Sequence, residues 1–194
     1  MPRPRKFDEN EALDAAVGRF WRQGYAGTTI RDLSSDMKMT TASLYNAFGD
    51  KRALFIRALR HYVAEHSLAS LTSIAKADDP MRALEDFLDG LVRAAATGRG
   101  CLLIASAAEV PVADHALRKE ISGHLLRIEG ALRVSLEAAR RKSLVSSTLD
   151  CAEQARAVLS AIISIQVLAR TGGHKKLLAT IARSALPPAS PVAA

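Results

Sequence analysis

Apolar residues recur three and four positions apart along most of the chain, and no stretch alternates with the period of two that a half-buried strand requires. Leu13, Ala16, Val17, Phe20 and Trp21 make a first stripe, opened by Asp8 with Glu11 three residues on and closed by Gly24. Ile30, Leu33 and Met37 make a second, short stripe behind a Thr28-Thr29 start, with Asp32 placed for a capping box. Met37-Lys38-Met39 reads as a turn, Thr40 as the next cap, and 41–47 as a second short helix with Leu44 and Phe48 inward. Gly49-Asp50 ends that helix and caps a longer one, 51–75, whose stripe is Leu54, Phe55, Ala58, Leu59, Tyr62 and Val63.

Beyond Asp79-Pro80, which reads as a cap and first-turn proline, the pattern stays helical. Met81, Leu84, Phe87, Leu88, Leu91 and Val92 form one stripe, and 101–109 is a short, very apolar helix ended by Pro111. Asp114 opens a long helix with Leu117, Ile121, Leu125, Ile128, Leu132 and Leu136 inward. Two more helices cover about 150–169 and 174–185, and a proline-rich tail follows. The expected fold is all-α with about nine helices: a three-helix helix-turn-helix unit over 5–65 and a second helical unit over 66–194.

The two short helices and their turn are the chemically informative part. Thr41, Ala42, Ser43, Tyr45 and Asn46 fall on the outward side of the second one. Small polar residues at the start of such a helix suit base edges in a major groove, and an alanine suits a thymine methyl. Tyr45 has the length to reach a phosphate, and Lys51 and Arg52 follow on the first turn of the next helix. Periodicity alone is also met by three packed amphipathic helices with no partner.

The residues go further. GY-x-G-TTIRDL followed by M-T-x-ASLYNAFGDK-x-ALF, over about residues 6–62, resembles the TetR family of bacterial transcriptional regulators. The resemblance implies that this segment reads DNA, with Thr41, Ala42 and Ser43 toward bases and Thr29, Thr40, Tyr45 and Lys51 toward phosphates. It also implies ligand-sensing and dimerisation roles for the unit over 66–194. Two positions depart from the family pattern. Lys38 stands where a turn glycine is usual, which costs about 1 kcal/mol if the backbone is left-handed and adds a basic side chain near DNA. Ala47 stands where many members carry a histidine phosphate contact.

Charge adds little. The formal net charge is +7, but basic and acidic residues balance through Asp50, so only local clusters matter. Arg3, Arg5 and Lys6 form a short arm that suits a minor groove or a solvated tail. No H-E-x-x-H, Gly-rich phosphate loop or G-x-S-x-G is present, and the cysteines have no metal spacing, so the chain reads as no enzyme, with no cofactor and no metal site. Cys101 and Cys151 make no disulfide framework, no run of eighteen apolar residues predicts a membrane span, and no secretory leader pattern opens the chain. A cytoplasmic protein without membrane contact is expected.

A single reader touches few base edges, so two across a dyad are expected, on palindromic double-stranded operator DNA. Val158, Ile162, Ile165 and Leu168, with Leu177, Leu178 and Ile181, offer apolar faces for pairing on the last two helices, where the resembled family forms its homodimers. Plain core packing accounts for the same stripes. The middle helices supply candidate ligand-lining residues Phe87, Leu91, Cys101, Leu103, Ile104, Ile121, His124, Leu125, Ile128 and Gln166, each of which is also a credible core residue. Cys101 after Gly100 reads either as a thiol activated by helix-start amides, as in relatives that sense electrophiles, or as a small buried hydrophobe. The expected function is a repressor released from its operator by an unknown small apolar or electrophilic effector that moves the helix over 51–75. A helical DNA-packaging or protein-binding module without sequence specificity is the rival.

Overall fold

A computed structural model describes residues 7–98, 100–172 and 174–188. The basic arm at Arg3, Arg5 and Lys6 lies outside the described residues. Helix α1 (Glu9–Gly27) starts where the Asp8 carboxylate accepts the amides of Asn10 and Glu11 at 2.8 and 3.1 Å. Gly24 breaks its helical run at φ +73°, and an added Cβ there would come within 2.5 Å of the Glu109 carboxylate. Only glycine meets both demands at that position.

Helix α2 (Ile30–Asp36) carries the full capping box between Thr29 and Asp32. Helix α3 (Thr41–Phe48) follows a turn in which Lys38 takes φ +52°, the left-handed conformation that the missing glycine implied. Asp50 caps α4 (Lys51–Tyr62) by accepting the Ala53 amide at 2.7 Å. The next segment departs from expectation. The rod does not run on as a plain α-helix: Val63–Leu68 is π-helical, and α5 (Ala69–Lys76) resumes the α form. A π segment inserts extra backbone into a helix and marks a point where its two halves can change register.

Asp79 and Pro80 open α6 (Pro80–Ala94), which ends in the 3₁₀ turn Ala95–Thr97. Then come α7 (Leu102–Glu109), α8 (His115–Arg141), α9 (Cys151–Ala169) and α10 (Lys175–Ser184). Counting the interrupted rod once, nine helices and no strand occur among the described residues. α1 packs on α4, α5 on α8, and α8 on α9, with α6 and α10 closing the far side.

Polar ties from Arg52, Arg60 and Tyr25 join the first unit to the rest. Arg52 donates to both carboxylate oxygens of Asp114 at 2.8 and 2.7 Å, and Arg60 does the same to Glu120 at 2.7 and 2.8 Å. The Tyr25 amide donates to Glu109 at 2.7 Å. Asp114 also accepts the Leu117 amide as the cap of α8, and its carboxyl is held far below the usual range, first by the Arg52 hydrogen bonds.

The expected pairing face of α9 needs correction. Val158, Ile162 and Ile165 are buried within the subunit, because they pack toward α8 and the core. The outward face of α9 carries Ala157, Ser160, Ser164 and Val167 instead. By length and composition α9 is also apolar enough to cross a membrane, with a mean hydropathy of 1.3 over 18 residues, of which 33% is buried inside the subunit. Glu153 and Arg156 interrupt its apolar run without lowering the mean below that level, and a helix packed in a protein core passes the same test.

Candidate nucleic-acid interface and effector cavity

Leu44 and Phe48 anchor α3 in the core at 0% and 4% exposure, which turns the opposite side outward. Thr41, Ala42, Ser43, Tyr45 and Asn46 are all exposed there, and so are Thr29, Lys38 and Thr40 beside them. The start of α3 is held by short-range bonds. Thr40 Oγ1 accepts the Ser43 amide at 3.1 Å and lies 2.9 Å from Ser43 Oγ, while Thr41 Oγ1 lies 3.3 Å from the buried Ser34 hydroxyl of α2. The hydroxyl side of α3 is therefore ordered before any partner arrives, which lowers the entropy lost on binding.

The platform behind it is equally fixed. Asp36 at the end of α2 takes two bonds from Arg19, at 2.6 and 2.7 Å, and one from Arg22 at 2.9 Å. The Arg19 hydrogen bonds hold the Asp36 carboxyl below its ordinary pKa. Arg57 reaches Glu9 and the Ala47 carbonyl while covering the Phe48 ring.

Lys51 is anchored on its own subunit. Its ammonium donates to the Tyr25 and Thr28 carbonyls at 2.9 Å each and sits 4.5 Å from the Tyr25 ring centre. Two of its three hydrogens are thus used inside the subunit, where the side chain pins α4 to the α1–α2 junction. Arg52 is likewise committed to Asp114.

Deeper in the molecule, a cavity of about 160 Å³ opens between the rod and α6–α9. Phe87, Leu91, Cys101, Leu103, Ile104, Leu125, Ile128 and Gln166 all line it. Ile121 and His124, expected there too, do not line it. Ile121 lies one turn before Leu125 on α8 and is buried in the core. His124 lies one turn before Ile128 and is fully buried, and Arg127 donates to its Nδ1 at 2.7 Å. Its Nε2 lies 3.2 Å from Glu120 without hydrogen-bond alignment. Burial first, and the Arg127 cation second, lower the pKa of this imidazole.

Cys101 precedes α7 but makes no capping bond to its amides. Its sulfur accepts the Tyr62 hydroxyl at 3.5 Å. Burial, and then the adjacent thiol, push the Tyr62 hydroxyl pKa well up.

The sequence model for bacterial regulatory proteins of the tetR family matches residues 12–58, and that for the tetracyclin repressor-like C-terminal domain matches 80–185. The chain belongs to the tetR family. It is a DNA-binding transcriptional regulator. Among similar proteins, the uncharacterized HTH-type transcriptional regulator YezE of Bacillus subtilis is 27% identical over 88% of this chain and 90% of its own length. The HTH-type transcriptional repressor BdcR of Escherichia coli is 31% identical over 51% of this chain and 50% of its own. Among solved structures, the TetR-family regulator CifR, as a cysteine mutant complexed with 26-bp double-strand operator DNA, aligns over 95% of this chain and 98% of its own. Its TM-score is 0.81 at 26% identity.

Several cavity residues escaped the sequence. Tyr62, His66, Ser67 and Leu71 come from the interrupted rod, and Leu159 and Ile162 from α9. Tyr62 and His66 are four apart, which sets them on one helical face, but the π segment that brings Ser67 to the same cavity has no pattern in the residues. Ile162 carried the helical spacing of a pairing face, and only the packing of α9 on α8 turns it inward.

Proposed function

We propose that the chain is a homodimeric repressor that holds a palindromic operator and releases it when a small apolar or electrophilic molecule enters the cavity. It would act in the cytoplasm, on double-stranded DNA. The observation that carries this reading is that one rod serves both sites. Lys51 to Tyr62 brace the reader, while Tyr62, His66, Ser67 and Leu71 wall the cavity. An occupant that fits only one arrangement of the π segment favours that arrangement, and the size of its preference sets the shift. Through Arg52–Asp114, Arg60–Glu120 and Glu109–Tyr25 the change reaches α1 and α4 and alters the spacing of paired readers.

In this reading Thr41, Ala42 and Ser43 face bases. Thr29, Lys38, Thr40, Tyr45 and Asn46 line the backbone, with Lys51 acting through its brace. The unit boundary lies near residue 65, within the π segment. Pairing uses the outward faces of α9 and α10, where Val167 and Leu177 are 48% and 47% exposed beside Ala157, Ser160 and Ser164. Small residues there allow close helix approach in a four-helix arrangement. The similarity to CifR, whose mutant is complexed with operator DNA, and to the repressor BdcR supports the reading.

The test is footprinting on the DNA upstream of the gene, joined to sedimentation. A two-fold-symmetric footprint and a dimer that Val167→Glu splits are expected. Tyr45→Phe should weaken all sequences alike, and Thr41→Ala should change base preference at one position. A monomer with wild-type operator affinity would sink the proposal, as would affinity that vanishes with salt equally on operator and scrambled DNA.

A further inference from the structure

The cavity is hollow in an unusually neutral way. No Lys, Arg, Asp or Glu side chain is among its lining residues. Its wall is aliphatic apart from the Phe87 ring and a small polar group: the Gln166 amide, the Ser67 hydroxyl, and Tyr62, His66 and Cys101. Three of these already have neighbours in one another, since Tyr62 donates to Cys101 and its ring lies tilted against His66, with ring centres 5.2 Å and planes 43° apart. The side chains of Gln166 and Ser67 have no hydrogen-bond partner among the described residues.

Gln166 is also built into its place. Gly100 has φ +63°, and an added Cβ would stand 2.9 Å from the Gln166 carbonyl oxygen, so the backbone before Cys101 lies directly against α9 at this residue. An amide offering both a donor and an acceptor, on a fixed backbone, over an apolar hollow, is a device for orienting a ligand. A volume of about 160 Å³ is close to the roughly 150 Å³ of a dry cavity that accommodates one benzene ring.

We propose that Gln166 is the specificity-determining residue of the cavity and that the ligand class is a compact, uncharged molecule, about one ring in size, bearing a single hydroxyl or carbonyl. The amide matches either group. A carboxylate of the same shape meets no fixed cation and loses its hydration on entry. This rests on the reading of the cavity as the effector site, and the two are separable.

The probes are phenol, toluene and benzoate, titrated calorimetrically into the full chain, with anisotropy of labelled operator DNA read in parallel. Phenol should bind about 3–10-fold tighter than toluene, the range of one net hydrogen bond. Benzoate should bind at least about 100-fold more weakly than phenol. Gln166→Leu should erase the phenol preference while keeping toluene affinity, and its melting temperature reports whether it folds. Ser67→Ala, a smaller change, should reduce the preference only in part. Equal binding of phenol and toluene, a preference unchanged in Gln166→Leu, benzoate as the tightest probe, or no binding of any probe would each overturn the assignment. Phenol that binds with the expected preference but leaves operator affinity unchanged would instead sink the effector reading and leave the ligand class standing.

Discussion

The two halves of this chain solve the problem of a helical core with different residues. All three tyrosines, the tryptophan and four of the five phenylalanines lie at or before Tyr62. Phe20, Tyr25 and Phe55 form a ring cluster with centres 4.8 to 6.3 Å apart, and Trp21 meets Tyr62 edge-on at 5.2 Å. The second half is built from Leu, Ile, Val and Ala around Phe87, its sole aromatic residue, which stands at the cavity wall. A short unit must bury much area with few residues, and rigid rings do that. The larger half has area to spare, and its flexible aliphatics leave a hollow. The comparison teaches that this regulator is stiff where it reads and incompletely filled where it senses.

The sharpest way to break that contrast is a pair of truncations. Phe55 is fully buried, and Phe55→Ala should cost about 3–5 kcal/mol by chemical denaturation. Phe87→Ala, at a half-buried wall that already faces empty space, should cost less than half as much. Equal losses would mean that the hollow is no weaker than the ring cluster.

A smaller effect tests the join. Gly24→Ala forces a Cβ into the left-handed region and onto the Glu109 carboxylate, and should cost about 1–3 kcal/mol in thermal unfolding. Glu109→Ala in the same background should recover part of the loss by removing the obstruction. No recovery would locate the cost in the backbone alone.

Acid titration separates the halves next. His124 in the second half has a lowered folded pKa, so the unfolded state binds the proton more readily. Its contribution is therefore intact above about pH 6.5, the unfolded value, and stability should fall as pH drops below it. His124→Gln should flatten that slope in melting temperature between about pH 6.5 and 5. Asp36 in the reader, and Asp114 and Glu120 at the join, have lowered pKa values, so their contributions persist above about pH 4 and go as pH falls through their folded values. A slope near pH 6 that survives His124→Gln would assign it elsewhere.

The smallest change belongs to the reader. Lys38→Gly removes the left-handed strain at φ +52° but adds freedom to the unfolded chain, so a net gain of no more than about 1 kcal/mol is expected. Operator affinity should fall slightly with the lost charge. A gain in affinity would mean that the strained turn holds α3 off its best angle.

Much of the reader was legible because its rules are local. Asp8, Thr29, Thr40 and Asp50 cap helices within three residues of themselves, and each does so in the structure. The outward side of α3 follows from Leu44 and Phe48 turning in. Lys51 was not legible, since its partners Tyr25 and Thr28 lie more than twenty positions away and compete with a phosphate for the same hydrogens. Eight of the ten residues expected around the cavity do line it, but Ile121 and His124 stand one turn further back on α8 than Leu125 and Ile128 and are buried within the subunit instead.

Local sequence alone determined that this chain is helical, where its helices begin, and which short segment resembles a DNA reader, because capping and periodicity act over three or four residues. Tertiary structure alone decided that Val158, Ile162 and Ile165 face inward, that a π segment interrupts the rod, and that Arg52, Arg60 and Tyr25 meet Asp114, Glu120 and Glu109. Those outcomes depend on which helix faces arrive together, and a stripe of apolar residues is the same stripe whether another helix of its own subunit covers it or something else does.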